Sequence, residues 1–310
     1  MTLVSIIVPC YNEQDNIVST HNALSDLMKS LKYDFEIIFV DNGGTDNQLE
    51  LMKELHVKDT EHVKVISLSR NFGYQMSMSA GLEYAKGDAV IIIDADLQDP
   101  PSVIKQFLNK WEEGYDVVYG IREKRKGPLL LRALYKLFYI LLKITADIPI
   151  PLNSGEFSLM SRRVVNEITA MPEKIRFVRG LRAWAGFKQI GIPYTRLMRK
   201  AGKTKFNFFT TFTLALDGIL SFSTRILSLL TIIGFVTSIM SILLLLFILY
   251  LKFFSDQDIP GYTAIMVTIS FFSGIIVAML GIIGAYIERV FLEVKGRPKF
   301  IVKETFGIAR

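Results

Sequence analysis

Short apolar runs alternate with helical patterns over roughly the first 120 residues of the chain. The runs lack the polar alternation of half-exposed strands, which is typical of strands buried on both faces of a parallel sheet. The predicted strands are residues 4–8, 35–40, 63–68, 89–93 and 116–119. The predicted helices are residues 16–31, 46–56, 74–85 and 102–113. This repeated order predicts an α/β fold, an open and mostly parallel sheet flanked by helices, with ligands bound beyond the carboxyl ends of the strands.

Two long apolar runs follow, at residues 226–251 and 262–287, and neither contains a charged residue. Each exceeds the ~20 residues that a helix needs to cross a bilayer. Basic residues flank both runs on their outer sides, whereas the short connection 252–261 holds one lysine against two aspartates. The positive-inside rule then predicts two transmembrane helices, with 252–261 outside and both termini in the cytoplasm. A buried helical hairpin of a soluble protein is the alternative, which the length of these uncharged runs disfavours.

Two further segments are predicted to lie on the membrane surface as interfacial helices. In residues 128–145, Arg132, Lys136 and Lys143 fall within a narrow arc of a helix and apolar residues cover the rest. Residues 207–225 are aromatic, nearly uncharged and adjacent to the first long run. A core helix is the alternative for each. The predicted organisation is a folded domain over residues 1–206, these helices, and a cytoplasmic tail over 288–310.

Small residues recur every four positions in the second long run, as Ser270, Gly274 and Ala278 and again as Gly281 and Ala285. This spacing lets helices pack closely in lipid. Two places for that packing stay open: the contact within the hairpin, and a contact between copies of the chain in a homo-oligomer.

Composition narrows the compartment and the partners. The single cysteine, Cys10, excludes an internal disulfide framework, as expected for a domain in a reducing compartment. The three histidines show no metal-ligand spacing. The net charge is +6, but the basic residues cluster beside the apolar segments, which favours anionic lipid headgroups over nucleic acid. Met1 leads almost directly into an apolar strand too short for a secretory signal, so we expect the first domain to stay on the side where it is made.

Two carboxylates one residue apart directly follow the fourth predicted strand, in the segment Asp94-Ala-Asp96-Leu-Gln-Asp99. Mg²⁺ and Mn²⁺ prefer such hard oxygen ligands and commonly bridge to the phosphates of a substrate. A cation held there would neutralise charge on a departing diphosphate. A polar turn before the next helix is the alternative. The position at the carboxyl end of a central strand favours a metal site.

The first two predicted strands also end in polar turns. Residues 9–13 present the flat ring of Tyr11 to a base and polar groups at a helix start, although capping alone explains such residues. Residues 41–46 contain two glycines that would admit a ligand closely, and an ordinary turn is the alternative. The second turn lacks the lysine and the spacing of a phosphate-binding P-loop.

Taken together, Pro-x-Tyr-Asn-Glu at 9–13, Asp-x-Gly-x-Thr-Asp at 41–46 and Asp-x-Asp-Leu-Gln-Asp-Pro-Pro at 94–101 resemble family-2 glycosyltransferases of the GT-A fold. With two C-terminal spans, the chain is similar over its whole length to polyprenyl-phosphate glycosyltransferases, such as bactoprenol glucosyltransferases and, more distantly, dolichyl-phosphate mannose synthase. The resemblance implies an integral membrane enzyme that moves a hexose, with inversion, from a nucleotide sugar to undecaprenyl phosphate. The donor that the resemblance implies first is UDP-glucose, followed by other UDP-hexoses and GDP-mannose. The implied cofactor is Mg²⁺ or Mn²⁺.

The resemblance also implies roles for individual residues. The residues implied to bind the base and ribose of the nucleotide sugar are Pro9, Tyr11, Glu13 and Asp41. Those implied to bind the metal and the diphosphate are Asp94, Asp96 and Gln98. Those implied to bind the acceptor phosphate are Arg122, Arg125 and Arg132. The basic loop 199–205, with Arg199 and Lys205, is expected to close over the donor. The residues implied to act in catalysis are Asp96, Arg122, Glu156 and Arg199.

Four positions depart from the family pattern. Asn42 and Gly44 stand where many relatives have Asp and Ser. Residues 155–160 correspond to Gly-Asp-Phe-Arg-Leu-Met, in which Glu156 can take the acidic role but Ser158 cannot replace the arginine. These departures permit a non-catalytic membrane scaffold with a decayed transferase domain, which the intact Asp94 and Asp96 disfavour.

Two other function classes fit less well. A processive polysaccharide synthase would carry a Gln-x-x-Arg-Trp motif, which residues 179–184 do not match, and more spans than two. A transporter would need polar pathway residues, typically ionisable ones, through its spans, and these long runs hold no charged residue.

Overall fold

The computed structural model describes residues 2–122, 154–198, 225–254 and 261–308. These residues fall into two compact units. One unit holds an α/β sheet and includes the C-terminal segment from Pro298 onward, and the other holds two long helices.

The α/β unit is built on one eight-stranded sheet. In chain order its strands are β1 (Leu3–Cys10), β2 (Asp34–Asp41), β3 (Val63–Leu68), β4 (Ala89–Ile92), β5 (Val117–Arg122), β6 (Ser154–Ser161), β7 (Gln189–Tyr194) and β8 (Val302–Phe306). Their order across the sheet is β7-β5-β6-β4-β1-β2-β3-β8. The helices of this unit are α1 (Gln14–Lys29), α2 (Gln48–Lys58), α3 (Tyr74–Tyr84), α4 (Val103–Glu112), α5 (Arg162–Ala170) and α6 (Val178–Trp184).

The centre of the sheet follows the sequence pattern closely. All five predicted strands and all four predicted helices are present, with ends shifted by a few residues. Consecutive residues such as Ile6 and Ile7, or Ile37 and Ile38, are fully buried, which shows that these strands are covered on both faces. Strands β3, β2, β1 and β4 pair in parallel, as apolar runs of this kind predict.

The prediction of a mostly parallel sheet is correct for these four strands and for the parallel pair β5 and β7, but two other strands make the sheet mixed. Strand β6 is antiparallel to both β4 and β5, and β8 is antiparallel to β3. The sequence predicts none of β6, β7 and β8, nor helices α5 and α6. The reason is that β6 and β8 interleave polar with apolar residues and β7 contains glycine and proline, so none forms a continuous apolar run.

Strand β8 lies within the segment predicted to be a tail. Its register sets Thr305 opposite Ile66 of β3, and Phe306 places its ring 5.2 Å from the Lys53 ammonium on α2. The strand covers the outer side of β3, whose backbone groups would otherwise form an open sheet edge.

The second unit consists of α7 (Arg225–Phe254) and α8 (Gly261–Val294), of 30 and 34 residues. Within the described ranges one stretch, Phe271–Val294, is long and apolar enough to cross a membrane by length and composition. An added Cβ at Gly274 or Gly281 would meet no atom within 4 Å, whereas one at Gly234 would lie 3.4 Å from Met279. Among the side chains that the structure describes in this unit, none contacts the two glycines of the predicted small-residue face.

Candidate active site

Three polar turns meet at the carboxyl ends of the central parallel strands β1, β2 and β4. Strand β1 lies between β2 and β4 and runs parallel to both, so the turns after these strands emerge side by side. The register pairs Cys10 with Asp41 and Ile7 with Ile92. The chain passes from β1 to β2 and β3 on one side and then returns to β4 on the other side of β1. This reversal of strand order is a topological switch point, which is the expected place for a ligand.

The first two turns are bonded to each other. Asn12, with a φ of 52°, accepts a hydrogen bond from the Thr45 backbone N–H at 2.7 Å through its side-chain oxygen. Gln48 at the start of α2 accepts one from the Glu13 N–H at 2.9 Å. The Glu13 carboxylate accepts the amide of Asn16 at 2.7 Å. Residues implied to hold the nucleotide thus also fix the shape of these turns.

The buried carboxylate of Asp41 organises the second turn. One oxygen accepts hydrogen bonds from the Gly44 N–H at 2.9 Å and the Gln48 amide at 2.5 Å, and the other accepts from the Ser67 hydroxyl at 2.8 Å. Asp41 is 3 % exposed. Three donors already surround this carboxylate before any ligand binds.

The departure at Asn42 has a structural reason. Its amide donates to the Asn71 side chain at 3.2 Å and accepts from the Phe72 N–H at 3.0 Å, and a carboxylate could not make the first of these bonds. Gly43 has a φ of +66°, and an added Cβ would lie 2.4 Å from the Arg70 carbonyl carbon. The close approach that this glycine permits is therefore to the chain's own 70–72 loop.

Three carboxylates crowd the turn after β4. Burial, with the charges of Asp99 and Asp96, raises the pKa of Asp94 to about 7. The Tyr74 hydroxyl at the start of α3 donates to Asp94. Asp96 accepts the Gln98 N–H at 3.1 Å.

The backbone of this turn is unusual for its sequence. Leu97 has a φ of 53° while being only 4 % exposed, a left-handed conformation that bulky residues rarely adopt. The next residue is fixed from outside the turn, because the Leu197 N–H donates to the Gln98 carbonyl at 2.8 Å. Strained residues held by surrounding contacts of this kind cluster at functional sites.

Basic side chains face the same turn. The Arg122 Nε donates to the Tyr194 hydroxyl at 3.2 Å, and its Nη2 lies 3.5 Å from Asp99 Oδ2. The Arg196 Nε lies 3.5 Å from Asp99 Oδ1. Burial is the largest influence and lowers the pKa of Arg122, but Asp99, Tyr194 and Asp94 together outweigh it and the net shift is upward. An added Cβ at Gly155 would lie 2.9 Å from the Arg122 Nη2, so this glycine makes room for the guanidinium.

We predict that Tyr194→Phe will destabilise the α/β unit by about 1–3 kcal/mol, because the buried Asp99 then loses a hydroxyl donor at 2.5 Å. The ring packs edge-on against Phe157 and will keep its place. Thermal unfolding of the full chain measures the effect. Tyr33→Phe is the matched control, since its hydroxyl donates to the exposed Glu112 and its loss should change stability by less than about 0.5 kcal/mol. Equal shifts in the two variants would contradict the prediction.

Gln75 on α3 links Glu156 of β6 to the start of helix α6 by hydrogen bonds. Its Oε1 accepts the Gln75 amide at 3.3 Å, and the Gln75 Oε1 accepts the Val178 N–H at the start of α6 at 2.8 Å. The Glu156 Oε2 is buried and has no hydrogen-bond partner within the described part of the chain. The Arg179 Nη1 donates to the Ser154 carbonyl at 2.5 Å, which fixes α6 to the start of β6.

The structure brings most of the implied residues to one edge of the sheet. Those at or beside its turns are Pro9, Tyr11, Glu13, Asp41, Asp94, Asp96, Gln98, Arg122 and Glu156. Arg125, Arg132, Arg199 and Lys205 lie outside the described residues, as do the segments 128–145 and 207–224. Residues at the site that the sequence did not single out are Tyr74, Gln75, Asp99, Arg182, Tyr194 and Arg196. Asp99 within the acidic motif and Arg196 beside the basic loop had a local signal, and the others had none.

The acidic turn fits a divalent cation with few protein ligands. Asp94 and Asp96 supply hard oxygens, and the Asp99 Oδ2 is buried without a hydrogen-bond partner among the described residues. No group of three or more His, Cys, Asp or Glu in the described ranges is arranged as a complete metal site. This suits Mg²⁺ or Mn²⁺ bound by two carboxylates, with substrate phosphates and water completing the shell.

Comparisons with known proteins agree on one family. The model of Glycosyl transferase family 2 matches residues 5–169. The chain is 43 % identical over 305 residues to the uncharacterized glycosyltransferase YkcC of Bacillus subtilis (strain 168), covering 98 % of this chain and 94 % of that protein. It is 36 % identical over 303 residues to the SfII prophage-derived bactoprenol glucosyl transferase of Shigella flexneri, covering 97 % and 98 %. It is 37 % identical over 301 residues to the prophage bactoprenol glucosyl transferase homolog of Escherichia coli (strain K12), covering 97 % and 98 %.

Proposed function

Because this chain belongs to glycosyl transferase family 2, we propose that it transfers a hexose from a nucleotide sugar to a polyprenyl phosphate at a membrane. The observation that carries the proposal is the 36 % identity with bactoprenol glucosyl transferases over 97 % of this chain, since the match extends through the long helices as well as the sheet. By the same similarity, UDP-glucose is the proposed donor and undecaprenyl phosphate the proposed acceptor.

The donor is proposed to lie across the turns after β1, β2 and β4. Tyr11 offers a ring to the base, and Pro9, Glu13 and Asp41 shape the pocket for base and ribose. Asp94 and Asp96 would hold Mg²⁺ or Mn²⁺, with Gln98 beside the diphosphate. Bound there, the ion would supply positive charge to the leaving diphosphate.

The acceptor phosphate is proposed to meet the arginines on the other side of the acidic turn. Arg122 is fixed by Tyr194 and Asp99, so its guanidinium is already oriented before the acceptor arrives. Arginine pairs well with phosphate through its planar fork of donors. Arg125 and Arg132 extend this basic group in our proposal, and Arg199 and Lys205 close over the donor.

The proposed reaction is a direct displacement. A phosphate oxygen of the acceptor attacks the anomeric carbon while the bond to the nucleoside diphosphate breaks, which inverts the configuration. A phosphate monoester is largely ionised at pH 7, with a second pKa of ~6, so little proton transfer is needed. Glu156 positions the acceptor or takes a residual proton. Alignment and electrostatic stabilisation supply most of the rate enhancement.

The connectivity of the chain supports two membrane crossings. Strand β8 pairs with β3 in the same sheet as the first 120 residues, so the chain leaves the sheet before α7 and returns to it after α8. A chain that leaves and rejoins one domain must cross a bilayer an even number of times. If α8 crosses, the 30-residue α7 is the natural second crossing. We propose an integral membrane protein with its catalytic domain and both termini in the cytoplasm. Residues 128–145 and 207–225 form interfacial helices in this proposal. The small-residue face of α8 contacts another copy of the chain in a homo-oligomer.

Transfer of labelled glucose from UDP-glucose to undecaprenyl phosphate by the purified full chain in detergent tests the proposal. We expect labelled lipid with Mg²⁺ or Mn²⁺ and none with EDTA. Undecaprenol without the phosphate is the matched control and should accept no sugar. A panel of other UDP-hexoses and GDP-mannose identifies the donor if glucose fails. Nucleotide-sugar binding without transfer from any donor would favour the scaffold function instead.

A further inference from the structure

Arg182 on helix α6 is a buried charge with no hydrogen-bond partner for its terminal nitrogens. The residue is 1 % exposed, and both Nη1 and Nη2 lack a partner within the described residues. Its guanidinium carbon lies 5.2 Å from the centre of the Tyr119 ring. Burial lowers the pKa of Arg182 to about 10, so it remains charged at neutral pH. Burying an ion without full pairing is costly, and packing alone gives no reason to keep it.

The negative charge that acts most strongly on Arg182 is the proposed catalytic Glu156. Of the charges around Arg182, the Glu156 carboxylate is the one that most favours the charged guanidinium, whereas Arg179 opposes it. The Glu156 Oε2 is itself buried without a hydrogen-bond partner in the described chain. Both side chains are therefore buried with terminal polar atoms that no described residue hydrogen-bonds.

Arg182 contacts a residue of β5 that lies opposite Ser158 of β6, where the family pattern has an arginine. Tyr119, against which the guanidinium lies, is directly opposite Ser158 in the β5–β6 register, and directly opposed residues share a face of the sheet. Ser158 is fully buried, and its hydroxyl donates to the Glu156 carbonyl at 2.9 Å. It carries no charge, although it stands where the family pattern has an arginine.

We propose that Arg182 supplies, from helix α6, the buried guanidinium that the family pattern places at position 158, and that it acts as a positioning residue for Glu156. The role of Glu156 on the acceptor rests on the proposed function, whereas the pairing of the two charges does not. The neighbouring arginines are engaged elsewhere, since Arg179 donates to the Ser154 carbonyl and Arg176 to the Ile168 carbonyl.

A backbone link reinforces this pairing. Gln75 donates to Glu156 and accepts from the Val178 N–H, so hydrogen bonds tie the start of α6, the helix that carries Arg182, to the Glu156 carboxylate. A shift of α6 would therefore move both the guanidinium and the hydrogen bond that orients Glu156. Helix and carboxylate form one positioned unit.

A thermal double-mutant cycle tests the pairing without any assay of transfer. The variants are Arg182→Met, Glu156→Gln and the two together, in the full chain. Coupled groups give non-additive effects, so we expect the double variant to unfold several degrees above the temperature that the two single shifts sum to. Additive shifts would overturn the pairing, whatever reaction the protein catalyses.

A second set of variants replaces the guanidinium of Arg182 by one at position 158 of β6, and tests whether this charge acts in sugar transfer. We expect Arg182→Met to lower kcat by about tenfold or more with the donor KM within about twofold, the pattern of a group that matters in the transition state. Adding Ser158→Arg to Arg182→Met should restore most of kcat. Adding Ser158→Met instead is the matched control and should restore none. An unchanged kcat in Arg182→Met, or equal rates in the two double variants, would overturn the positioning role. Absence of transfer by the wild-type chain would instead count against the proposed function, and the thermal cycle would still decide the pairing.

Discussion

Asp96→Asn will lower kcat for sugar transfer by about 10²–10³-fold, the usual loss when one preorganised electrostatic contact to a transition state is removed. The Asp96 side chain is 12 % exposed and follows β4 at the switch point of the sheet. The amide keeps the shape and an oxygen that can accept the Gln98 N–H, so the turn should survive. What the variant loses is one of the two negative ligands that we propose for the cation.

Initial rates over a series of Mg²⁺ and Mn²⁺ concentrations measure this loss. Asp26→Asn is the matched control, because Asp26 is exposed on α1, and it should transfer sugar at the wild-type rate. Wild-type rates in Asp96→Asn with the ordinary metal requirement would remove Asp96 from the metal site.

Asp94→Asn will have two opposite effects: it will abolish most transfer and raise the unfolding temperature of the metal-free protein at pH 8. The carboxylate is surrounded by the charges of Asp99 and Asp96, and its ionised form is the unfavourable one when no cation is bound. An amide removes that repulsion and can still accept the Tyr74 hydroxyl. Functional sites commonly carry such a conflict between stability and activity.

The gain in stability depends on pH in a defined direction. The pKa of Asp94 is about 7 in the folded protein, against about 3.9 for an unfolded aspartate. Between these values the folded state holds the proton more tightly, so the stability that Asp94 contributes is complete below about pH 4 and is lost as the pH rises through 7. The advantage of Asp94→Asn should therefore be about a third of its full size at pH 5 and reach its full size above pH 7.

Unfolding temperatures in EDTA from pH 5 to pH 8.5 measure this difference. Adding Mn²⁺ with UDP should reverse the order of the two proteins, because a ligand that binds the folded wild type stabilises it. Asp88→Asn, at the opposite end of β4, is a control that should show no comparable change. An Asp94→Asn protein that unfolds at or below the wild-type temperature at pH 8 in EDTA would contradict the expectation.

The sequence predicts the parts of the site that are local in the chain. The acidic residues 94–99 follow a strand visible as an uninterrupted apolar run, so their place after a central strand could be predicted. The contacts that complete the site join distant residues: Tyr74 with Asp94, Gln75 with Glu156, and Tyr194 with Asp99. No periodicity in one sequence encodes such pairs, because they arise only when the sheet is assembled.

The same reasoning explains the strands that were not predicted. Strand β6 reads Ser-Gly-Glu-Phe-Ser-Leu-Met-Ser and is buried because it lies between β4 and β5. Strand β8 reads Val-Lys-Glu-Thr-Phe and is only half-buried at the edge. Arg182 likewise reads as an ordinary helical arginine, and its burial becomes visible only against Tyr119 of a distant strand.

The late position of β8 sets the order in which this protein can be completed during synthesis. Strand β3 ends at Leu68 and its edge partner begins at Val302, so roughly 230 residues separate them. At typical elongation rates of about 5–20 residues per second, the outer edge of β3 stays uncovered for on the order of ten to fifty seconds. The helices α7 and α8 are made within that interval. The nascent sheet therefore reaches its final form only after both long helices have left the ribosome, so any step that α7 and α8 undergo during synthesis can precede closure of the sheet.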